Sequence, residues 1–289
     1  MFPRVLVASD LGVPEPLAKC VGGLRALGSQ EAVLVHCLEM PDLGAFQEGL
    51  LRLLVPSLDK QVALLKEAGM ESRYEVLLGL PQVEINDYAE RKDCSLIVVS
   101  TRVHSLAAEV ILGGVASAVI HSARKPVLVL RLADRPSGRE AACETWPCAP
   151  LRRVLFPTDF SDNAEHAFGY VERLVEAGAR EVTLLHVQDR TKLGKYLEDR
   201  LEEFNVTDRG RLERLKSQLL KKGATDVRIE LPYGFPTSEI LARTRPADAS
   251  LVVMGSQGRG FVSEIFLGSV SHNVARRAPI PVLLIPAIR

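Results

Sequence analysis

The sequence near the C-terminus reads Leu251-Val-Val-Met-Gly255-Ser-Gln-Gly258-Arg-Gly-Phe-Val-Ser-Glu-Ile-Phe-Leu-Gly268-Ser269-Val-Ser271. An apolar run typical of a buried strand ends at Gly255, and a glycine-serine pair then opens a helix predicted from Ser269 to about Arg277. Glycine lets the backbone approach a ligand closely. A helix N-terminus carries N–H groups without helical partners and a partial positive charge. The stretch therefore predicts a phosphate cradle between a strand and a helix.

The spacing of these glycines separates the cradle from two common phosphate motifs. No Gly-Lys-Ser/Thr follows, as a Walker A loop requires, and the glycines are too far apart for the dinucleotide fingerprint. The pattern is Gly-x2-Gly-x9-Gly-Ser. In this the chain resembles the ATP-binding members of the universal stress protein family, whose pattern is Gly-x2-Gly-x9-Gly-Ser/Thr. The alternative is that the glycines only shape a tight turn.

The bulk composition is that of a globular protein with two domains. The chain has 289 residues, of which 47% are hydrophobic and 25% charged, and 36 Lys and Arg balance 36 Asp and Glu. This balance argues against nucleic acid or a membrane surface as a partner. No apolar run has the length of a membrane span. The first residues enter a strand directly, without the features of a signal peptide, so a cytoplasmic location is expected.

The cysteines do not form a framework. There are five, Cys20, Cys37, Cys94, Cys143 and Cys148, and an odd, scattered set predicts reduced thiols. Cys143 and Cys148 could close a small disulfide loop or supply half of a metal site. No second Cys or His pair stands at zinc spacing, so no metal site is predicted.

The chain is a tandem duplication. Three matching elements are displaced by a constant 155 residues: Pro81 matches Pro236, Ser100 matches Gly255, and Pro126 matches Pro281. A period this long indicates duplicated domains rather than a solenoid. We predict domains over 1–132 and 151–289, with a linker over 133–150 in which Trp146 is expected to be a packing anchor.

Strands alternate with helical patterns in both halves, which predicts an α/β fold. Each domain is expected to be a five-stranded parallel sheet with helices on both faces. The resemblance implies tandem flavodoxin-like (adenine nucleotide α-hydrolase-like) domains that pair through their last strands, here Pro126–Leu130 and Pro281–Ile285. That would make an internal pseudo-dimer, with a further homodimer possible.

The resemblance also implies a site for ATP, with Mg²⁺ possible and AMP or ADP as alternatives. The ribose and adenine would lie on Asp159, flanked by Pro157 and Thr158, and on Val187 and Met254. The phosphates would lie on Gly255, Ser256, Gly258, Arg259, Gly268, Ser269, Val270 and Ser271, with main-chain N–H groups and serine hydroxyls as donors. The corner Gly234-Phe-Pro236 either closes this pocket or is a plain turn.

The first half differs from the glycine pattern at the positions expected to contact the phosphates. Ser100 and Val103 replace the first two glycines, and Gly114 replaces the serine, although Asp10 and Gly113 remain. A valine should block the close approach of phosphate to the backbone. We therefore expect one nucleotide per chain, in the C-terminal domain.

Two classes of function remain open, and binding of AMP or another adenylate signal is a third possibility. The first is an ATP-binding regulatory module of the stress response, and the second is a weak ATPase or autophosphorylating enzyme. The first is favoured because no general base stands beside the cradle, so no catalytic residue is predicted. His36 and His186 are expected to make structural hydrogen bonds, Ser161 to cap a helix, and the charged segment Leu193–Lys222 to be a solvated face.

Overall fold

The two halves of the chain fold as two compact units, Met1–Cys148 and Ala149–Arg289. The computed structural model describes residues 1–12, 14–39, 46–103, 113–133, 151–191, 201–258 and 267–288. The predicted positions Trp146, Cys143, Cys148 and Arg259 lie outside these residues. Cys20, Cys37 and Cys94 are free thiols.

The first unit alternates strands and helices along its length. Its elements are β1 (Arg4–Ala8), α1 (Pro14–Gly22), a 3₁₀ turn (Gly23–Leu27), β2 (Glu31–Leu38), α2 (Phe46–Glu67), β3 (Glu71–Leu78), α3 (Pro81–Arg91), β4 (Leu96–Val103), α4 (Gly114–Ser122) and β5 (Val127–Ala133). The strands pair in parallel in the order β3-β2-β1-β4-β5. Helix α1 packs with α2, and α3 with α4, which supplies one pair of helices for each face of the sheet.

The second unit repeats this plan. Its elements are β6 (Arg153–Pro157), α5 (Asp162–Glu176), β7 (Glu181–Leu185), β8 (Gln188–Asp189), α6 (Leu201–Lys222), β9 (Asp226–Glu230), β10 (Tyr233–Gly234), α7 (Pro236–Ala242), β11 (Leu251–Gly255), α8 (Ser269–Arg277) and β12 (Val282–Ile285). The main strands pair in parallel in the order β9-β7-β6-β11-β12. The short strands β8 and β10 pair beside them. The predicted tandem flavodoxin-like α/β fold is confirmed.

Apolar residues hold each sheet between its helices. In β1 and β11 the runs Val5–Val7 and Leu251–Met254 are at most 5% exposed. Continuous burial of this kind is typical of parallel strands that are covered on both faces. The long helix α2 turns Leu58 and Leu65 inward, both at most 1% exposed, two turns apart on one face.

One strand of the first unit is longer than its sequence suggests. We predict that β4 ends at Ser100, but it continues to Val103, and Thr101, Arg102 and Val103 pair with Arg131, Leu132 and Ala133 of β5. In the second unit the matching strand β11 ends at Gly255. The residues that turn away from the sheet in the second unit are therefore part of the strand ladder in the first.

The second unit has a crevice where its strand order reverses. Strand β6 lies between β7 and β11, so chain connections leave in opposite directions from the carboxyl ends of β6 and β11. Ligands of open parallel sheets bind at such points. None of the helices in the described ranges is long and apolar enough to cross a membrane.

Candidate functional site

A cavity of about 600 Å³ opens at the carboxyl ends of β6, β7 and β11. This volume is in the range of small-molecule sites. Most of the sequence-predicted site residues meet in its wall: Pro157, Thr158, Asp159, Val187, Met254, Gly255, Gly258, Gly268, Ser269, Val270 and Ser271. Ser256 is not among the lining residues, and of the predicted corner only Pro236 is.

The N-terminus of α8 forms one side of the cavity. The helix begins at Ser269, and the N–H of His272 donates to the oxygen of Gly268 at 2.8 Å. The N–H groups of Ser269, Val270 and Ser271 therefore precede the helical ladder, where main-chain donors have no intrahelical acceptor. Together with the helix dipole they make this side of the cavity favourable for an anion.

Hydrogen bonds hold the two ends of the connection between β11 and α8. The N–H of Gly268 donates to Ser256 O, and the N–H of Ser256 donates to Ile285 O, both at 2.8 Å. The buried hydroxyl of Ser271 donates to Gly255 O, also at 2.8 Å. The Ser256 N–H and the Ser271 hydroxyl, both predicted as phosphate donors, thus have acceptors inside the fold in this structure.

Two of the glycines face the beginning of α5. A Cβ atom at Gly255 would lie 2.9 Å from Nδ2 of Asn163, and one at Gly258 would lie 2.6 Å from Oδ2 of Asp159. Real Cβ atoms do not approach other atoms so closely. These positions therefore need glycine because polar side chains of the β6–α5 connection occupy the space that a side chain would take.

The β6–α5 connection holds Asp159 in one place. Its Oδ1 accepts hydrogen bonds from the N–H of Ser161 at 3.1 Å and from the Ser161 hydroxyl at 2.6 Å. The Ser161 oxygen in turn accepts the N–H of Ala164 at 3.2 Å, which makes Ser161 the expected N-cap of α5. Between them Phe160 has φ 57°, a left-handed conformation that a bulky residue rarely adopts.

Another part of the wall contains side chains whose contacts sequence reasoning missed. His186 Nδ1 lies 2.7 Å from Thr158 O, and its Nε2 lies 3.5 Å from Oδ2 of Asp208 in α6. Gln188 Nε2 donates to the same oxygen at 2.9 Å. The His186 ring stacks on Phe160 at 4.5 Å between centroids. A structural hydrogen bond was expected for His186. Its contact with Asp208 could not be predicted, because no sequence pattern connects these two residues.

Helix α6 is thus more than the expected solvated face. Asp208 and Phe204 line the cavity, and Arg211 lies 5.1 Å from the centre of the Phe160 ring and 3.4 Å from Asp208 Oδ1. The sequence does not indicate that Phe204, Asp208 and Arg211 face the site, because aspartate and arginine are common on solvated surfaces.

The described lining residues give the cavity an acidic character. Asp159, Asp189 and Asp208 line it, and no lysine or arginine does so among the residues that the structure describes. One carboxylate oxygen of Asp189, Oδ1, accepts hydrogen bonds from the N–H and the hydroxyl of Thr191, at 2.9 and 2.7 Å. The described ranges contain no group of three or more His, Cys, Asp or Glu side chains arranged for a metal ion.

The first unit keeps part of this geometry. His36 Nδ1 lies 2.9 Å from Ser9 O, as His186 does from Thr158 O, and Leu11 has φ 62° where Phe160 has φ 57°. The extension of β4 to Val103 removes the glycine turn, since the main chain there is committed to β5. Among the described residues of this unit the strand-end geometry is kept, but β4 occupies the positions that form the glycine turn in the second unit.

Comparison with known proteins gives the same match twice along the chain. The model of the universal stress protein family matches residues 1–131 and 150–286. The universal stress protein MJ0577 of Methanocaldococcus jannaschii is 32% identical over 46% of this chain and 94% of its own. The universal stress protein YxiE of Bacillus subtilis is 29% identical over 47% of this chain and 99% of its own.

Solved structures match the chain over both units. A universal stress protein from Archaeoglobus fulgidus superposes with a TM-score of 0.73 over 99% of both chains, at 23% sequence identity. At this identity the likeness concerns the fold. It extends through both units, in agreement with the repeated strand order.

Proposed function

The chain belongs to the universal stress protein family, and from this premise we propose that its second unit binds an adenine nucleotide, ATP in the first place, as a regulatory module of the stress response. The observation that carries the proposal is the meeting of three features in one cavity. The glycine turn after β11, the N-terminus of α8 and the Asp159 carboxylate all line it.

The phosphate end of the nucleotide is assigned to the main chain. Gly255, Gly258 and Gly268 line the cavity without side chains, and the N–H groups of Ser269, Val270 and Ser271 stand at the start of α8. Donors of this kind bind anions without a basic side chain. Arg259, which follows the turn, is proposed to add a charge that the main chain cannot supply.

The nucleoside end is assigned to the β6 and β7 strand ends. Asp159 can accept hydrogen bonds from ribose hydroxyls. Val187 and the 5%-exposed Met254 offer apolar surface to the adenine ring. Because the described wall is acidic, a nucleotide with several negative charges would need a cation, and we propose that Mg²⁺ enters with the triphosphate rather than occupying a protein site beforehand.

We propose binding rather than rapid turnover. Chemistry on phosphate needs a group that activates water or a hydroxyl beside it. Among the described lining residues, His186 and Asp208 are the titratable pair best suited to proton transfer. His186 contacts both Asp208 and the Thr158 oxygen, on the wall assigned to the nucleoside. A phosphate-release assay with Asp159→Ala as the control tests this, and turnover of several per minute that the substitution abolishes would favour an ATPase.

The first experiment is to identify what the purified protein carries. The protein is denatured and the released small molecules are identified by mass spectrometry, and then nucleotide-free protein is titrated with ATP, ADP, AMP and GTP. We expect an adenine nucleotide and tighter binding of ATP than of GTP. If no adenine nucleotide binds, the proposed function is wrong and the glycines only shape a tight turn.

A further inference from the structure

Asn163 connects the first turn of α5 to the turn after β11. It is the second residue of α5 and only 9% exposed. Its Nδ2 donates to the main-chain oxygen of Gln257 at 3.2 Å, across 94 residues of sequence. Gln257 lines the cavity and directly precedes Gly258. The side chain therefore joins two elements that approach only in the folded unit.

The carboxamide also packs against Gly255. A Cβ atom at Gly255 would lie 2.9 Å from Nδ2 and 3.0 Å from Cγ of Asn163. The side chain thus fills the space beside Gly255 at the beginning of the turn and bonds to Gln257 in its middle. The bond to Gln257 links the turn to α5.

The bond to Gln257 sets the direction of the next main-chain donor. The C=O and N–H of a trans peptide point in opposite directions in one plane. Since Asn163 holds the Gln257 carbonyl toward α5, the N–H of Gly258 is directed away from α5. Gly258 is one of the residues that line the cavity, so this contact orients a donor at the cavity wall.

The other end of the carboxamide shows that packing alone does not explain this asparagine. Within the described part of the chain, the buried Oδ1 of Asn163 has no hydrogen-bond partner. A buried acceptor without a partner is unfavourable. An apolar side chain of similar size would avoid that cost, but it would give no donor to Gln257.

We propose that Asn163 is a positioning residue for the phosphates of the bound nucleotide: it holds the Gln257–Gly258 peptide in the orientation that presents its N–H to the anion. The inference rests on the proposed function of the site. It predicts that substitution of Asn163 lowers the affinity contributed by the phosphates and has little effect on the affinity contributed by the nucleoside.

The test compares ATP with adenosine, which lacks the phosphates, by calorimetric titration of the full chain. Asn163→Ala should raise the dissociation constant for ATP about tenfold, the effect of one lost hydrogen bond with its orientation, and leave that for adenosine nearly unchanged. Asn163→Asp keeps the shape of the side chain and favours the helix N-terminus. It should weaken ATP binding further, because a carboxylate cannot donate to Gln257 and adds negative charge.

Asn86 is a matched control in the first unit. It is also 9% exposed, its Oδ1 also lacks a partner among the described residues, and its Nδ2 donates to Val119 O at 3.2 Å and Ser122 Oγ at 2.8 Å. Asn86→Ala should lower the melting temperature without changing the ratio of the ATP and adenosine constants.

The outcomes separate the two proposals. If the unchanged protein binds ATP but Asn163→Ala and Asn163→Asp leave the ratio of ATP to adenosine affinity unaltered, the positioning role is wrong and the proposed function stands. If the unchanged protein binds neither ligand, the proposed function fails and the inference fails with it. Should Asn163→Ala not fold, Asn163→Asp supplies the same ratio.

Discussion

Gly258 and Asp159 lie so close that a Cβ atom on the glycine would be 2.6 Å from the aspartate Oδ2. The two residues are 99 positions apart in sequence and come from the connections after β11 and β6. This proximity explains on structural grounds why position 258 needs a glycine, in addition to the role proposed for it in ligand binding. It also brings the residue assigned to the ribose next to the turn assigned to the phosphates.

Gly258→Ala should therefore displace the Asp159 carboxylate. We expect the dissociation constant for ATP to rise at least about tenfold, because a hydrogen bond to a charged group is lost along with backbone access. Gly210→Ala in α6 is the control, since a Cβ there meets nothing within 4 Å. It should leave ATP binding unchanged and stabilise the helix by roughly 0.5–1 kcal/mol. Equal ATP affinity in both variants would contradict this placement of Asp159.

Gly255→Ala should couple to Asn163. The added methyl would displace the Asn163 carboxamide, so each single substitution breaks the bond to Gln257. In a double-mutant cycle read by ATP affinity, Asn163→Ala should have little further effect in the Gly255→Ala background. Fully additive losses would mean that the two residues act on the ligand independently.

Asp208→Ala should destabilise the second unit. It removes the acceptor of Gln188, the carboxylate that lies 3.5 Å from His186 Nε2, and the ion-pair partner of Arg211. Leaving such half-buried groups without it costs about 1–3 kcal/mol in the free energy of unfolding, measured by urea denaturation. Asp226→Ala is the matched control, because its pair with Arg228 lies at the surface and surface ion pairs contribute little. A similar small effect for both would show that the Asp208 network is solvated.

Cys37 should react slowly with alkylating reagents in the folded protein. Burial, together with the nearby Glu84 and Glu39, raises its pKa to about 11, and the thiolate is the reactive form. The native rate of iodoacetamide labelling, followed by peptide mass spectrometry, should keep rising up to about pH 11. In denaturant the midpoint should fall to about 8.5. Equal midpoints would contradict the effect of burial.

The same shift predicts a small pH dependence of stability. Because the folded state holds the Cys37 proton more tightly, its stabilising contribution is present below about pH 8.5. It is lost as the pH rises toward 11. Cys37→Ser should flatten the stability curve over this window, whereas an unchanged slope would assign the alkaline loss to other groups.

The sequence could predict the fold because its signals are local and repeated. Apolar runs and capping serines each depend on a few neighbouring residues, and the constant displacement shows the same local signals in both halves. The Ser161 cap and the start of α8 at Ser269 followed from such signals. The extension of β4 to Val103 did not, since the end of the strand is decided by the pairing of Thr101 to Val103 with β5.

The sequence predicted the glycine side of the cavity and the residues that follow β6 and β7, but it did not predict the contributions of α6 and Asn163. Motif spacing locates Gly255, Gly258 and Gly268, but Asp208 and Asn163 act through contacts across about 20 and 90 residues of chain. A polar residue on an amphipathic helix gives no sign of which neighbour it will meet after folding. Sequence reasoning likewise could not show that Ser256 N–H is already bonded to Ile285.

The most direct test of the account is the number of nucleotides bound by one chain. Calorimetric titration of nucleotide-free protein with ATP should give one site, and Gly258→Ala should weaken that site, while Gly113→Ala in the first unit should leave it intact. The extended strand β4 offers no glycine turn for a second nucleotide. Two equivalent sites per chain, or one site that survives Gly258→Ala and is lost in a variant of the first unit, would contradict it.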